Sequence, residues 1–219
     1  MKRYMYRSTI RRADSAESFA EAFASSRTEL ETSLMSAGVR AFSLFRWDRH
    51  LFAYLETDGD AFRLEFPPAL QARLEAWPGE EEPRYAVPMV DIFHDGEPID
   101  RIRWRAGRSV EESVGALARL KPEQYASYVF YHYQMQEEQP ETFNQTYLIG
   151  SHERLLFSYS ERPASLSGRP RTGKLRTKHT PNDWQEVMEP HFEPWTDAGE
   201  DERLWRKLER ICSFGTMTT

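Results

Sequence analysis

The side chains of this 219-residue chain that could move a proton or offer a ring face gather in two stretches. His132 lies in Tyr125–Gln136, with Tyr128, Phe130, Tyr131, Tyr133 and Gln134 around it. An imidazole titrates near neutrality and a phenol can donate or accept a proton, so this stretch suits general acid–base chemistry. His191 stands between Trp184 and Trp195, close enough in sequence for rings and imidazole to share a ligand site. Arg7 and Arg103 fall in alternating segments and could hydrogen-bond hydroxyl groups. Each has an ordinary structural alternative: a hydrogen-bonded core histidine, loop aromatics, or solvated and ion-paired arginines.

Other chemistries find less support. His50, His94, His132, His152, His179 and His191 show no metal-ligand spacing. Gly168 to Lys174 (GRPRTGK) superficially fits a P-loop, but Leu175 replaces the hydroxyl residue that would hold magnesium, and no strand precedes it. Cys212, the single cysteine, has no His/Asn context for a nucleophile. Arg169 to Lys178 holds five basic residues and no acid. It could touch phosphate, or form a flexible solvated loop.

The balance of 29 basic against 35 acidic residues, net charge -6, argues against a dominant nucleic-acid surface. A lone cysteine implies a reducing compartment, and no apolar run approaches a membrane span, so a cytoplasmic protein with no membrane or nucleic-acid partner is expected.

The elements that must position these residues are organised around the hairpin Gly38 to Asp58, with apolar runs Ala41–Phe45 and Leu51–Leu55 about a charged turn. Before it, Arg3 to Arg11 alternates as a strand; Asp14 and Glu17 cap a helix carrying Phe19, Phe23, Leu30 and Leu34, which Gly38 ends. After it, Pro67-Pro68 starts a second helix with Leu70, Leu74 and Trp77, and Tyr85 to His94 reads as a fourth strand. The order β-α-β-β-α-β is that of a ferredoxin-like unit. A second copy is expected, because Arg154-Leu-Leu-Phe-Ser-Tyr-Ser-Glu161 echoes Arg49-His-Leu-Phe-Ala-Tyr-Leu-Glu56. In it Ile99–Trp104 is read as a strand, Ser109–Leu120 as a helix, Tyr125–Gln136 as a long strand and Thr146–Glu161 as the hairpin. An interrupted helix around Trp184 and a last strand or helix, Arg203–Phe214, close the copy. The predicted domains are 1–97 and 98–219, the second with a basic Pro/Gly/Ser-rich insertion at 163–180. The predicted fold class is α+β: two ferredoxin-like units forming an intramolecular dimeric α+β barrel.

The strand Arg3–Ile10, the helix with Thr28-Glu-Leu-Glu31, the hairpin Ala41–Glu56 and the strand Met89–His94 together resemble the L-rhamnose mutarotase family. The resemblance covers about the first 95 residues. Trp184-Gln-Glu-Val187 and Trp205-Arg-Lys-Leu-Glu209 look like a divergent copy of the family's second helix and last strand. It implies a small-molecule partner, a monosaccharide, interconverted between anomers by acid–base chemistry without a cofactor, in a monomeric pseudo-dimer or weak homodimer.

Family members carry a Tyr and a His one turn apart on the first helix; here those slots fall on Phe19 and Phe23, and the paired tryptophans of the second helix fall near Arg73 and Leu74. Any surviving chemistry must then come from the second half or from a rearranged pocket. If the chain is a mutarotase, the expected site is His132 as acid/base, Tyr131 or Tyr133 as hydroxyl partner, Trp184 and Trp195 as platform, and His191, Arg103 and, from the first half, Arg7 as substrate contacts. The alternatives are a non-catalytic ligand-sensing or interaction module and, by fold analogy alone, a haem- or quinol-type monooxygenase.

Overall fold

The computed structural model describes all residues except 60, 80–81, 99–103, 105–109, 139–142, 166–172 and 216–219. It is mixed α+β, with two antiparallel five-stranded sheets and few helices among the described residues. Strands β1 (Lys2–Thr9), β2 (Val39–Trp47), β3 (His50–Thr57), β4 (Val87–Pro88) and β10 (Glu209–Phe214) form the first sheet, in the order β10-β2-β3-β1-β4. Strands β5 (Val90–His94), β6 (Glu112–Arg119), β7 (Leu148–His152), β8 (Leu155–Arg162) and β9 (Arg206–Lys207) form the second, in the order β5-β7-β8-β6-β9. The helices are α1 (Ala16–Ser36), α2 (Pro68–Gln71), α3 (Tyr125–Glu138) and α4 (Trp184–Met188).

The chain divides into two compact units, Met1–Met89 with Pro98–Ala106 and Glu209–Thr219, and Val90–Glu97 with Gly107–Leu208. Each unit therefore takes its edge strand from the far part of the chain: β10 pairs with β2, and β5 pairs with β7. The single strand expected over Tyr85–His94 is in fact two. Residues 87–88 pair with β1 in the first sheet, and the chain then leaves at Met89 for the second.

The two sheets pair their strands in matching registers. Thr9 pairs with His50 in the first sheet, and Arg119 with Leu155 in the second; Trp47 pairs with His50, and His152 with Leu155. The irregularity in β10 between Arg210 and Cys212 recurs in β5 between Asp91 and Phe93. Both hairpins turn on two residues, the first of them left-handed: Asp48 at φ 51° and Glu153 at φ 54°. Both third strands bury a Tyr-x-Glu pair, with Tyr54 Oη donating to Glu56 at 2.7 Å and Tyr159 Oη donating to Glu161 at 3.0 Å.

In the first unit α1 starts at an N-cap Ser15, whose Oγ accepts from the Ser18 amide at 3.1 Å. Asp14, expected in that role, instead meets Arg73 at 2.6 Å. The buried stripe Phe19, Phe23, Leu30 and Leu34 packs on Leu44, Leu51, Ala53 and Leu55, with Leu70 and Leu74 completing the core. Only Pro68–Gln71 of the second predicted helix is helical; Trp77 lies in a bridge to Arg84 instead.

In the second unit the sequence reading is displaced by one element. Of the helix expected over Ser109–Leu120, Ser109 lies outside the described residues and Glu112–Arg119 is instead the strand β6, the counterpart of β1 in its pairing. The apolar residues Val110, Val114, Leu117 and Leu120 fit a helical period, but Ser113, Gly115, Leu117 and Arg119 also alternate with their neighbours, and eight pairs to β8 decide for the strand. Tyr125–Gln136 is not a strand but most of α3. Its aromatic residues favour strands, yet Pro122 starts a 3-10 turn that leads into the helix, and burial of Tyr128 and His132 at a step of four selects the helical period.

Candidate functional site

The inner face of α3 presents Tyr128, His132 and Met135 to the second sheet, and their rings and sulfur line a cavity of about 610 Å³. Phe93 from β5, Ile149 from β7, Trp184 and Met188 from α4, and Phe192 and Trp205 from the chain beyond supply most of the remaining wall. Phe143 and Tyr147, just before β7, border it too. Gln185 and Glu189, both exposed, stand at its rim.

His132 is at the centre of this ring system. Its imidazole lies 4.0 Å from the Tyr128 ring centroid, 4.9 Å from Trp184 edge-on at 77°, and 5.9 Å from Phe93. Nδ1 is 2.9 Å from the Tyr128 carbonyl oxygen, one turn back, which fixes it as the protonated nitrogen because a carbonyl only accepts. Nε2 is thereby left as the lone-pair nitrogen. Burial drives the histidine pKa down to about 4, opposing the Tyr128 hydrogen bond, with His191 adding to the decrease. The imidazole is neutral at physiological pH, an acceptor and not a cation. Burial also keeps the phenols protonated: Tyr128 is raised well above 10, and Tyr147 to about 12 despite its hydrogen bond with Ser158. The site thus holds one base and two weak acids.

The two units differ at positions that correspond in register. Phe19 and Phe23 sit at the same four-residue step on α1 as Tyr128 and His132 on α3, and both phenylalanines are sealed in apolar core. By register, Ala53 and Leu55 of β3 correspond to Ser158 and Ser160 of β8. The second unit has polar side chains where the first has hydrocarbon.

Trp184 reaches the cavity because the chain before it is tied to α3. Glu138 accepts from the amides of His179 at 3.0 Å and Thr180 at 2.9 Å, from the Thr180 hydroxyl at 2.7 Å, and from Thr177. These donors overcome desolvation and pull its pKa down to about 2. Glu137 accepts from the Lys174 amide at 3.1 Å, and Gln134 from Thr177 at 3.0 Å. Of the basic segment expected to be a solvated loop, residues 173–178 are therefore strapped to the helix; 169–172 lie outside the described residues. Asp183 caps α4 by accepting from the Glu186 amide at 3.3 Å.

The remaining predicted residues are placed elsewhere. Tyr131 packs edge-on to His191 at 6.1 Å, and Tyr133 is 46 % exposed; α3 turns both away from the cavity that His132 lines. His191 is buried against Ser127 and does not line the cavity. Trp195 lies between two guanidiniums, with Arg119 at 4.1 Å and Arg206 at 4.7 Å, and donates to the Leu117 carbonyl at 3.2 Å. That is a packing role, not a platform. Arg7 belongs to the first unit, buried with its guanidinium 5.3 Å from the Trp77 ring. Arg103 lies outside the described residues.

Sequence reasoning missed Tyr128, Met135, Tyr147, Phe93 and Trp205 as wall residues. The signal for the first two was the step from 128 to 132 to 135, one face of a helix. Among the described residues no group of three or more His, Cys, Asp or Glu could hold a metal ion, and no helix is long and apolar enough to cross a membrane. Compared with protein-family models, curated proteins and solved structures, the chain matches none.

Proposed function

We propose that the second unit binds a small ring compound between α3 and its sheet and moves a proton on it without a cofactor, a site of mutarotase type. The observation that carries this reading is Tyr128 and His132 one turn apart on the unit's first helix, with Trp184 of its second helix edge-on to the imidazole, all lining one cavity. This is the first-helix pair, with one of the two second-helix tryptophans, that the mutarotase resemblance leads one to expect, displaced from the first half, where Phe19 and Phe23 hold the slots, to the second. The ligand implied by that resemblance is a monosaccharide. Anomer interconversion needs a base for the anomeric hydroxyl and an acid for the ring oxygen. His132 Nε2 supplies the first and a protonated tyrosine, Tyr128, the second. The identical strand order and register of the two sheets support the finer description of the chain as two fused ferredoxin-like units.

Saturation-transfer NMR on several deoxyhexoses tests the catalytic part. Faster exchange between anomers with the native chain, lost in His132→Phe, supports it. If exchange runs at the spontaneous rate with every sugar, the catalytic part is wrong. The scarcity of polar groups on the wall favours a second reading, binding without catalysis, which a saturable but unaccelerated sugar would support.

A further inference from the structure

We infer that the ring this cavity is built to hold is a hydroxylated aromatic one, of the phenol class, with its hydroxyl on Nε2 of His132 and its ring against the aromatic wall. The inference rests on the proposal that the cavity of the second unit is the ligand site, and it departs from that proposal in the ligand and therefore in the anomer chemistry.

The first argument is hydrogen-bonding capacity. His132 Nδ1 is committed to the Tyr128 carbonyl, Tyr147 to Ser158, and one oxygen of the rim carboxylate of Glu189 to Arg203. Away from the rim, what is left for a ligand is one lone pair on His132, the Tyr128 hydroxyl and the indole N–H groups of Trp184 and Trp205; the Gln185 amide and the second oxygen of Glu189 stand at the rim. A pyranose carries a hydroxyl on nearly every ring carbon, and each one dried without a partner weakens binding roughly tenfold. A phenol asks for one good acceptor, and the neutral Nε2 is one.

The second argument is the wall itself. Phe93, Phe143, Phe192, Trp184, Trp205 and Tyr147 surround the space, and flat rings stack or meet edge-on with such partners better than saturated ones do. The third is charge. No lysine or arginine lines the cavity, so nothing there would neutralise a carboxylate or phosphate, and an anionic ligand is disfavoured.

The test titrates the full chain with phenol and 4-methylphenol, and in parallel with L-rhamnose and D-glucose. Two readouts are taken: quenching of tryptophan fluorescence and the chemical shift of the His132 imidazole. The phenols are expected to saturate both signals. His132→Phe should weaken phenol binding, read by tryptophan fluorescence, about tenfold, the loss of one buried hydrogen bond, with an unchanged circular dichroism spectrum, since it keeps an aromatic ring in the core. Sugars that move the His132 signal where the phenols do not would overturn the inference and leave the ligand-site proposal standing. Phenols that bind equally well to His132→Phe would overturn the placement on Nε2. If neither class moves His132, both the inference and the proposal on which it rests are wrong.

Discussion

Replacing His132 by phenylalanine should flatten the acid dependence of stability. In the folded protein the imidazole titrates at about 4 against an ordinary 6.5, because burial opposes its charged form. A histidine with a depressed pKa contributes stability that is full above 6.5 and is lost as the pH falls toward 4, since the unfolded chain takes up the proton first. The gap is worth roughly 3 kcal/mol at about 1.4 kcal/mol per pH unit, and about 2 kcal/mol of it is already gone near pH 5. His132→Phe removes this titration and keeps an aromatic ring in the core. Urea unfolding of both proteins, followed by circular dichroism between about pH 8 and pH 5, isolates the histidine, because every other titrating group cancels in the difference. The native chain should lose about 2 kcal/mol more than the variant over that range. Parallel stability curves would refute the assignment of a buried, neutral His132, and with it the acceptor role of Nε2.

Three further outcomes follow from the geometry. Glu138→Ala should speed amide exchange at His179 and Thr180, whose N–H groups it holds; in the native chain their protection should persist in acid and fade only as the pH nears about 2, where the depressed carboxylate takes up its proton. Glu153→Gly should stabilise the second hairpin by roughly 1 kcal/mol in denaturant unfolding, and Asp48→Gly the first by less, because a short aspartate tolerates the left-handed region better than glutamate. Tyr54→Phe and Tyr159→Phe should each cost roughly 1–3 kcal/mol by the same measurement, since each withdraws a buried donor from a carboxylate; a near-zero effect in one unit alone would break their equivalence.

Local chemistry in the sequence specified the hairpins. Alternation, a charged turn and the echo of Arg49–Glu56 in Arg154–Glu161 are nearest-neighbour properties, and they marked β2-β3 and β7-β8, the central pairs of two sheets. The first helix was legible for the same reason: a long stripe at steps of four needs only itself and one apolar surface.

What tertiary structure decided lies where a segment fits two periods. Glu112–Arg119 and Tyr125–Glu138 each admit a strand or a helix, and the pairing of β6 with β8 settles both. That choice determines the site, because Tyr131 and Tyr133 share a face with His132 in neither period, whereas Tyr128 and Met135 share one with it in the helix. Which sheet an edge strand joins is likewise invisible locally: β5 and β10 cross to the unit they did not begin in, through pairs more than 50 residues apart in sequence. The sequence thus determined that His132 stood in an aromatic stretch able to move protons. Only packing could determine which rings close around it, because a cavity is made by residues that do not fill it, and no single segment records that.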